Sequence, residues 1–209
     1  MKGLVTEFRE YSRVVESIPR GRGEDESIIL GLDLGTNCGY AYTWLPKDPA
    51  KPISTVIMGQ VDLSLGTYDS GAVRPAKLRH FIHVLKPAAI FMEDVKFTPA
   101  MPPGFRFSAA AVLARSSTAQ EFFGVMKSVV LDYGHAASVP VAALPIGEIK
   151  KFATNQGNAS KELMIAACNK QFGVKLDAKN YKTNGHDNIA DAAFVLALGL
   201  SQYREGLRT

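Results

Sequence analysis

Three carboxylates, Asp33, Glu93 and Asp191, sit inside apolar sequence where an acid is out of place. Asp33 interrupts "IILGLDLG", Glu93 closes "AAIFME", and Asp191 opens the apolar run "IADAAFVLALGL". An ionised carboxylate in a buried strand loses much of its water, on the order of several kcal/mol unless a positive group lies against it. A separate salt bridge for each acid would put three desolvated pairs in one small domain, and such pairs tend to break even at best. Convergence on divalent cations accounts for all three together, because hard oxygen ligands from strand ends and a helix suit Mg2+ or Mn2+. For Asp33 alone, capping the turn before Gly35 is the plainer alternative. Asp187 and Asn188 stand four and three residues before Asp191, both on its helix face. Two divalent ions want several carboxylates, so charge selects Asp187 over the neutral Asn188 as fourth ligand. The alternative for Asp187 is a cap on the helix start. His186 is a further candidate, as ligand or proton donor; its alternative is a solvated loop histidine. The chain contains no Ser-His-Asp or Cys-His arrangement, and a metal-activated water needs no side-chain nucleophile.

Regular elements must carry these acids to one place. "IILGLDLG", "CGYAYTWL" and "STVIMGQVDL" read as three consecutive strands joined by turns, hence antiparallel hairpins. "PAKLRHFIHVLK" has Pro75 at a first helical turn and Leu78, Phe81, Ile82 and Leu85 on one face. "AAIFMEDV" is a short buried strand, followed by the Pro-rich loop "KFTPAMPPGFRFS". A long helix, "SAAAVLARSSTAQEFFGVMKSVVLDYG", precedes a strand in "SVPVAALP", and two helical segments run from Ile146 to Phe172. A Lys/Asn-rich loop over 173–185 leads into the last helix, "DNIADAAFVLALGLSQYRE". The order predicts an α/β fold, a mixed sheet between helices. Ahead of it, Leu4, Phe8, Tyr11, Val15 and Ile18 have helical spacing and "PRGRGEDES" reads as a linker, giving an N-terminal amphipathic helix and linker over 1–26 and a main domain over 27–209.

With 209 residues the chain is one domain, or one domain plus an appendage. A net charge of +4 permits a polyanionic partner without requiring one. Cys38 and Cys168 form neither a metal-ligand spacing nor a disulfide framework, which makes a reducing cytoplasmic setting the expectation. The absence of a signal-peptide pattern and of an apolar run of ~20 residues speaks against secretion and membrane insertion.

The motifs that hold the three acids resemble those of the RuvC family of Holliday-junction resolvases, on the ribonuclease-H-like fold. "ILGLDLGTNCGYAY" is similar to that family's first-strand motif, "AIFMEDVKF" to the strand with its catalytic Glu, and "NIADAAFVLAL" to its last-helix motif. "LPIGEIKKFATNQGNASKELMIAA" resembles its helix, basic loop and helix start near DNA, and the likeness runs over about residues 28–203 in order. The resemblance implies a mixed five-stranded sheet flanked by helices, with the N-terminal helix as an extension. Two positions depart from the family pattern. Lys96, with Phe97 next to it, replaces an aromatic three residues after the Glu, and Asn188 replaces the acid three before the last Asp.

The implied activity is resolution of four-way and other branched DNA by two-metal phosphodiester hydrolysis, with Mg2+ as cofactor, Mn2+ substituting, and two ions about 4 Å apart per site. Asp33 would bridge the ions, with Glu93 on one and Asp187 and Asp191 on the other. Lys96, Lys150, Lys151, Ser160 and Lys161 become DNA-contact candidates; Ser160 or Asn158 can cap the helix beginning near Lys161, so that a phosphate meets N–H groups and an ammonium together. Arg106, between Phe105 and Phe107, is a candidate to stack on an opened junction, the alternative being core or dimer contacts. Paired nicks call for a homodimer, with "SAAAVLARSS" as the candidate interface. No membrane and no nucleotide cofactor is expected, and the expected location is cytoplasmic or nucleoid-associated, the host-cell cytoplasm for a phage-encoded chain, with an organelle matrix as the alternative. Two rivals remain: a non-catalytic junction-binding protein on the same fold, and an actin- or sugar-kinase-like ATPase, suggested by "GLDLGT". Against the second, every glycine after Met101 is isolated and the length is short for two domains.

Overall fold

The computed structural model describes residues 5–8, 26–48, 51, 53, 55–67, 69–95 and 109–206. Among them the strands are β1 (Val5–Phe8), β2 (Glu26–Asp33), β3 (Asn37–Pro46), β4 (Thr55–Asp62), β5 (Ala89–Asp94) and β6 (Val141–Pro145). The helices are α1 (Val73–Leu85), α2 (Ala109–Ala137), α3 (Ile146–Thr154), α4 (Lys161–Phe172), α5 (Tyr181–Asn184) and α6 (His186–Gly206). All strands join one sheet in the order β1-β4-β3-β2-β5-β6. β2, β3 and β4 form the expected antiparallel meander, while β5 runs parallel to both β2 and β6. The expected mixed five-stranded core is therefore β4-β3-β2-β5-β6.

The sixth strand corrects the reading of the N-terminus. Val5–Phe8 does not begin a helix; it pairs in parallel with Thr55–Met58 of β4. The Leu4–Phe8 spacing fits a helix, but Val5 and Thr6 are β-branched, and the outer edge of β4 offers a row of backbone groups that a passing segment can satisfy. The rest of the expected helix, and positions 19–25 of the expected linker, lie outside the described residues; Glu26 and Ser27, read as the end of that linker, already belong to β2.

Continuous apolar runs in β2 and β3 follow from helices on both sides of the sheet, which leave neither face to water. Side chains alternate, so Ile28, Leu30 and Leu32 enter one core with Leu78, Phe81 and Ile82 of α1 and Met126 and Val130 of α2. Ile29 of β2, Ala89 and Phe91 of β5 enter the other, beneath Ile149 of α3, Met164 and Ile165 of α4, and Phe194 of α6. Asp33 and Glu93 continue these second sets by period two, so both belong to the α6 face.

Helix α6 is buried from Ile189 to Leu200 and lies unusually close to the sheet. A Cβ at Gly31 would come within 2.6 Å of the Leu196 backbone nitrogen, one at Gly39 would land on the Asn188 carbonyl, and one at Gly199 would enter the Phe91 ring. Three glycines, two in strands and one in the helix, thus set the helix-to-sheet distance that brings Asp191 over the strand ends. Among the described residues no helix is long and apolar enough to cross a membrane.

Candidate catalytic acid cluster

Asp33 is the last residue of β2, opposite Gly39 of the hairpin partner and only 8% exposed. The β2–β5 register ends at Leu32 against Met92, so the next step along both strands sets Asp33 beside Glu93. Parallel strands thus deliver two carboxylates to neighbouring C-terminal ends, on the same face. Burial raises the Asp33 carboxyl well above its ordinary range, and the charges of Glu93 and Asp191 push it further. Burial also raises Glu93, partly offset by the hydrogen bond that Asp33 supplies. Both strand-borne carboxyls are therefore held toward their neutral forms in the metal-free chain. Burial pushes the Cys168 thiol up to about 12 and raises Cys38 as well, with Asp33 adding to Cys38, so neither is a nucleophile.

The second pair is helical. Gly185, in the left-handed region at φ 68°, ends α5, and its carbonyl accepts from Asn188 and Ile189 N–H. Asn184 Oδ1 accepts from His186 N–H at 3.1 Å. The first turn of α6 is therefore capped by the preceding residues, and the Asp187 carboxylate is turned instead to Lys161. Lys161 Nζ lies 2.5 Å from Asp191 Oδ2 and 3.3 Å from Asp187 Oδ2. Burial alone would lower this ammonium; Asp191, then Asp33 and Asp187, more than reverse that and hold it above its ordinary range. Burial raises the Asp191 carboxyl against the pull of Lys161, and Asp187 adds to the rise. Lys150 of α3, half-buried, acts electrostatically on both Glu93 and Asp191.

Other candidates fall in varied places. Asn188 serves packing: its Nδ2 donates to Asn37 O at 2.8 Å, tying α6 to the hairpin. His186 Nδ1 accepts from Asp177 N–H at 2.7 Å, which orders the loop before α5. Ser160 is the N-cap of α4, its Oγ accepting from Leu163 N–H at 3.3 Å. Lys151 is exposed on α3. Lys96 and Arg106 lie outside the described residues, and the dimer stretch falls at the start of α2, where side chains lie outside them too.

Sequence reasoning missed three things. Lys161, thirty positions from Asp191, enters the cluster as its cation. Gln60 of β4 braces the α5–α6 turn, its Nε2 donating to Asn184 O at 3.1 Å. The strand glycines set the approach of α6. A usable signal existed for the last: Gly31 and Gly39 flank Asp33 on hairpin strands, and glycine inside a strand marks close backbone approach.

Among the described residues no three His, Cys, Asp or Glu side chains converge closely enough to hold one metal ion. The site comprises two pairs of acids. Its donor set still suits a divalent cation: Asp33 and Asp191 are buried hard oxygen donors, and Glu93 is a half-buried one. Beside Glu93, on the α2 side of the strand ends, a cleft of about 220 Å³ is lined by Leu34, Val95, Gln120, Phe123 and Lys127. Lys127 is itself paired with Asp94 at 3.1 Å.

No protein-family model matches the chain, and no curated protein sequence does. Solved structures do. RuvC of T. thermophilus in complex with a Holliday-junction substrate is similar at 17% identity and a TM-score of 0.52, over 86% of this chain and 96% of that one. Thermus thermophilus RuvC alone is 19% identical, with a TM-score of 0.48, over 82% of this chain and 96% of its own. The yeast mitochondrial Holliday-junction resolvase Ydc2 is 19% identical, with a TM-score of 0.48, over 86% and 82%. The first of these establishes that this chain shares the ribonuclease-H-like fold of RuvC.

Proposed function

We propose that the chain is a metal-dependent, structure-selective endodeoxyribonuclease that resolves four-way and related branched DNA junctions. The observation that carries this reading is two pairs of acids, Asp33 with Glu93 at the strand ends and Asp187 with Asp191 on α6, joined electrostatically through Asp191 and Lys161. Four acids from three elements, facing the ammoniums of Lys161 and Lys150, are more negative charge than the fold needs. Crowded, desolvated acids at the carboxyl ends of parallel strands are a poor device for stability and a good one for cation-assisted chemistry. Shared fold with RuvC, whose solved complex holds a Holliday junction, supports branched DNA as the substrate class.

Asp33 and Glu93 would hold one Mg2+, and Asp191 with Asp187 a second; Mn2+ has the same ligand preference. Divalent ions there would make a bound water acidic enough to attack a phosphodiester and would neutralise charge on the leaving 3′-oxygen. The chain's own contribution is to fix the acids on hydrogen-bonded strand ends and on the first two turns of α6. Lys150, Lys151 and, when not held by Asp187 and Asp191, Lys161 would offer positive charge to backbone phosphates, together with N–H groups at the capped N-terminus of α4. Lys96 and Arg106, between β5 and α2 in sequence, are proposed as further junction contacts. Paired nicks on opposed strands favour a two-fold homodimer. Free, buried Cys38 and Cys168 suit a reducing compartment such as the cytoplasm.

The test is cleavage of labelled four-way junctions, forks and linear duplex by the purified protein, with Mg2+ and with EDTA. Wild type should cut the branched substrates only with Mg2+, and Asp33→Asn should bind the junction with near-wild-type affinity without cutting it. Binding without cleavage by the wild type would favour the junction-binding alternative, and equal cleavage in excess EDTA would overturn metal dependence.

A further inference from the structure

We infer that Lys161 is a resident counter-cation, held between Asp187 and Asp191 until a divalent ion takes its place and frees the ammonium toward the DNA-facing surface. This rests on reading the acid cluster as a metal site and adds how that site is kept before the ion arrives.

The first ground is geometry. One ammonium approaches an oxygen of each helical carboxylate, 2.5 Å from Asp191 and 3.3 Å from Asp187. It therefore spans two residues one turn apart, as a ligated ion would. The second is the asymmetry of exposure. The side chains of Asp191 and Asp187 are 11% and 16% exposed, but that of Lys161 is 38% exposed. The acids would lose most by being left without a cation, whereas the lysine can regain water by rotating outward on its four-carbon stem. The third is anchorage. Lys161 is the first residue of α4, whose backbone start is fixed by the Ser160 cap, so exchange moves a side chain and not a helix. The fourth is the charge count around it: Asp33 from β2, Glu93 from β5, Asp187 and Asp191 from α6, against Lys150 from α3 and Lys161 itself. A structural ion pair matches charges one to one; this site keeps an excess of acid that a monovalent ammonium cannot satisfy and a divalent ion can.

Exchange also explains how one residue serves two partners. While paired with Asp191, the ammonium is turned from any phosphate; once displaced, it becomes available to one. Lys161 should thus contribute to junction affinity only when a divalent ion is bound.

The experiment uses the full chain with Ca2+ as the probe and reads amine modification by reductive methylation, quantified for each lysine by mass spectrometry. Thermal shift measures Ca2+ binding in the same samples. Lys161 should be protected in EDTA and become several-fold more reactive at Ca2+ concentrations that raise the melting temperature, while exposed Lys151 stays constant. Two variants test competition directly. Lys161→Met, with no cation to displace, should lower the apparent Ca2+ dissociation constant by roughly fivefold. Lys161→Arg, whose planar fork grips carboxylates more firmly, should raise it above wild type. A Ca2+-induced thermal shift with Lys161 reactivity unchanged would overturn the exchange and leave the metal site standing. Lys161→Arg binding Ca2+ as wild type does would overturn it as well, because the lysine would then act only as a distant charge. Absence of any Ca2+-induced shift would overturn both readings.

Discussion

The two halves of the acid cluster solve the same electrostatic problem differently. Asp33 and Glu93 project from adjacent strands whose backbones are locked in the sheet, and burial holds both carboxyls toward their neutral forms. Asp187 and Asp191 project from one helix, and a third element, α4, supplies their cation. The strand half is thus rigid and answers to pH; the helix half answers to competing cations. A site built this way has one fixed and one adjustable end.

Charge-removing substitutions should separate the halves most sharply. Asp33→Asn and Asp191→Asn should each lower cleavage by several orders of magnitude, since each removes a proposed ligand charge. Their effects on the metal-free protein should have opposite signs. Asp33 is a carboxyl that burial holds toward the neutral form, so a permanently neutral amide removes the cost of protonating or charging it near neutral pH and raises the melting temperature. Asp191→Asn removes the nearer partner of Lys161; because that ammonium can reach water, the loss is on the order of 1 kcal/mol rather than that of a fully buried pair. Thermal melts in EDTA check the signs. Two shifts of the same sign would erase the distinction between the halves.

The pH dependence of metal-free stability comes next in size. The carboxyls of Asp33 and Glu93 titrate higher in the folded chain than in the unfolded one. Their protonated forms therefore favour the fold, a contribution complete below the ordinary carboxyl range of about 4 and lost as pH rises through the raised folded values. Asp191 acts in the same direction. Lys161, raised above its ordinary range, contributes fully below about 10.4 and gives no slope near neutrality. Stability in EDTA should fall as pH rises above the ordinary carboxyl range. Asp33→Asn should flatten that slope without abolishing it, and Mg2+ should restore stability mainly at the upper end. A melting temperature that rises with pH there would contradict the raised carboxyls of Asp33 and Glu93.

How much of this was legible in the chain follows the same division. Asp33 and Glu93 stood out because strands buried on both faces leave no ordinary place for an acid, and period two put both on one face. Asp191 was equally visible at the head of a long apolar helix. What sequence could not carry was approach between distant segments. Val5–Phe8 became a strand only because β4 had an open edge to fill. Lys161 read as a phosphate contact because nothing local says that α4 begins against α6. The single turn of α5, closed by Gly185 with Gln60 beside it, was indistinguishable from the loop around it.

Within the helix half, Asp187 and Asn188 should behave as different kinds of residue. Asp187→Asn should raise the Mg2+ concentration needed for cleavage and lower the maximal rate, because one of the two carboxylates on Lys161 is lost. Asn188→Ala removes the hydrogen bond to Asn37 O, an exposed one, for about 0.5–1.5 kcal/mol of stability and an unchanged Mg2+ requirement. Cleavage rates across a Mg2+ titration distinguish them. If Asp187→Asn only lowers the melting temperature while turnover persists, Asp187 is part of the scaffold and the helix half holds its ion through Asp191 alone.

The smallest effect concerns the anchor of the adjustable end. Ser160 Oγ accepts from Leu163 N–H at 3.3 Å, a long bond at a helix start whose backbone is otherwise in the extended conformation a cap requires. Replacing it with alanine should cost about 1 kcal/mol, and asparagine, an equally good cap, should restore it. If α4 serves only to fill the core through Met164, Ile165 and Cys168, that small loss is the whole effect and Ca2+ affinity does not change. If α4 also delivers Lys161 to the acids, fraying its first turn weakens the resident cation. Ser160→Ala should then bind Ca2+ slightly more tightly than wild type, while Ser160→Asn returns both stability and affinity to their starting values. The two readouts moving together, with opposite signs and rescued by the same side chain, is the pattern expected of an anchor. Stability changing alone would confine Ser160 to the fold.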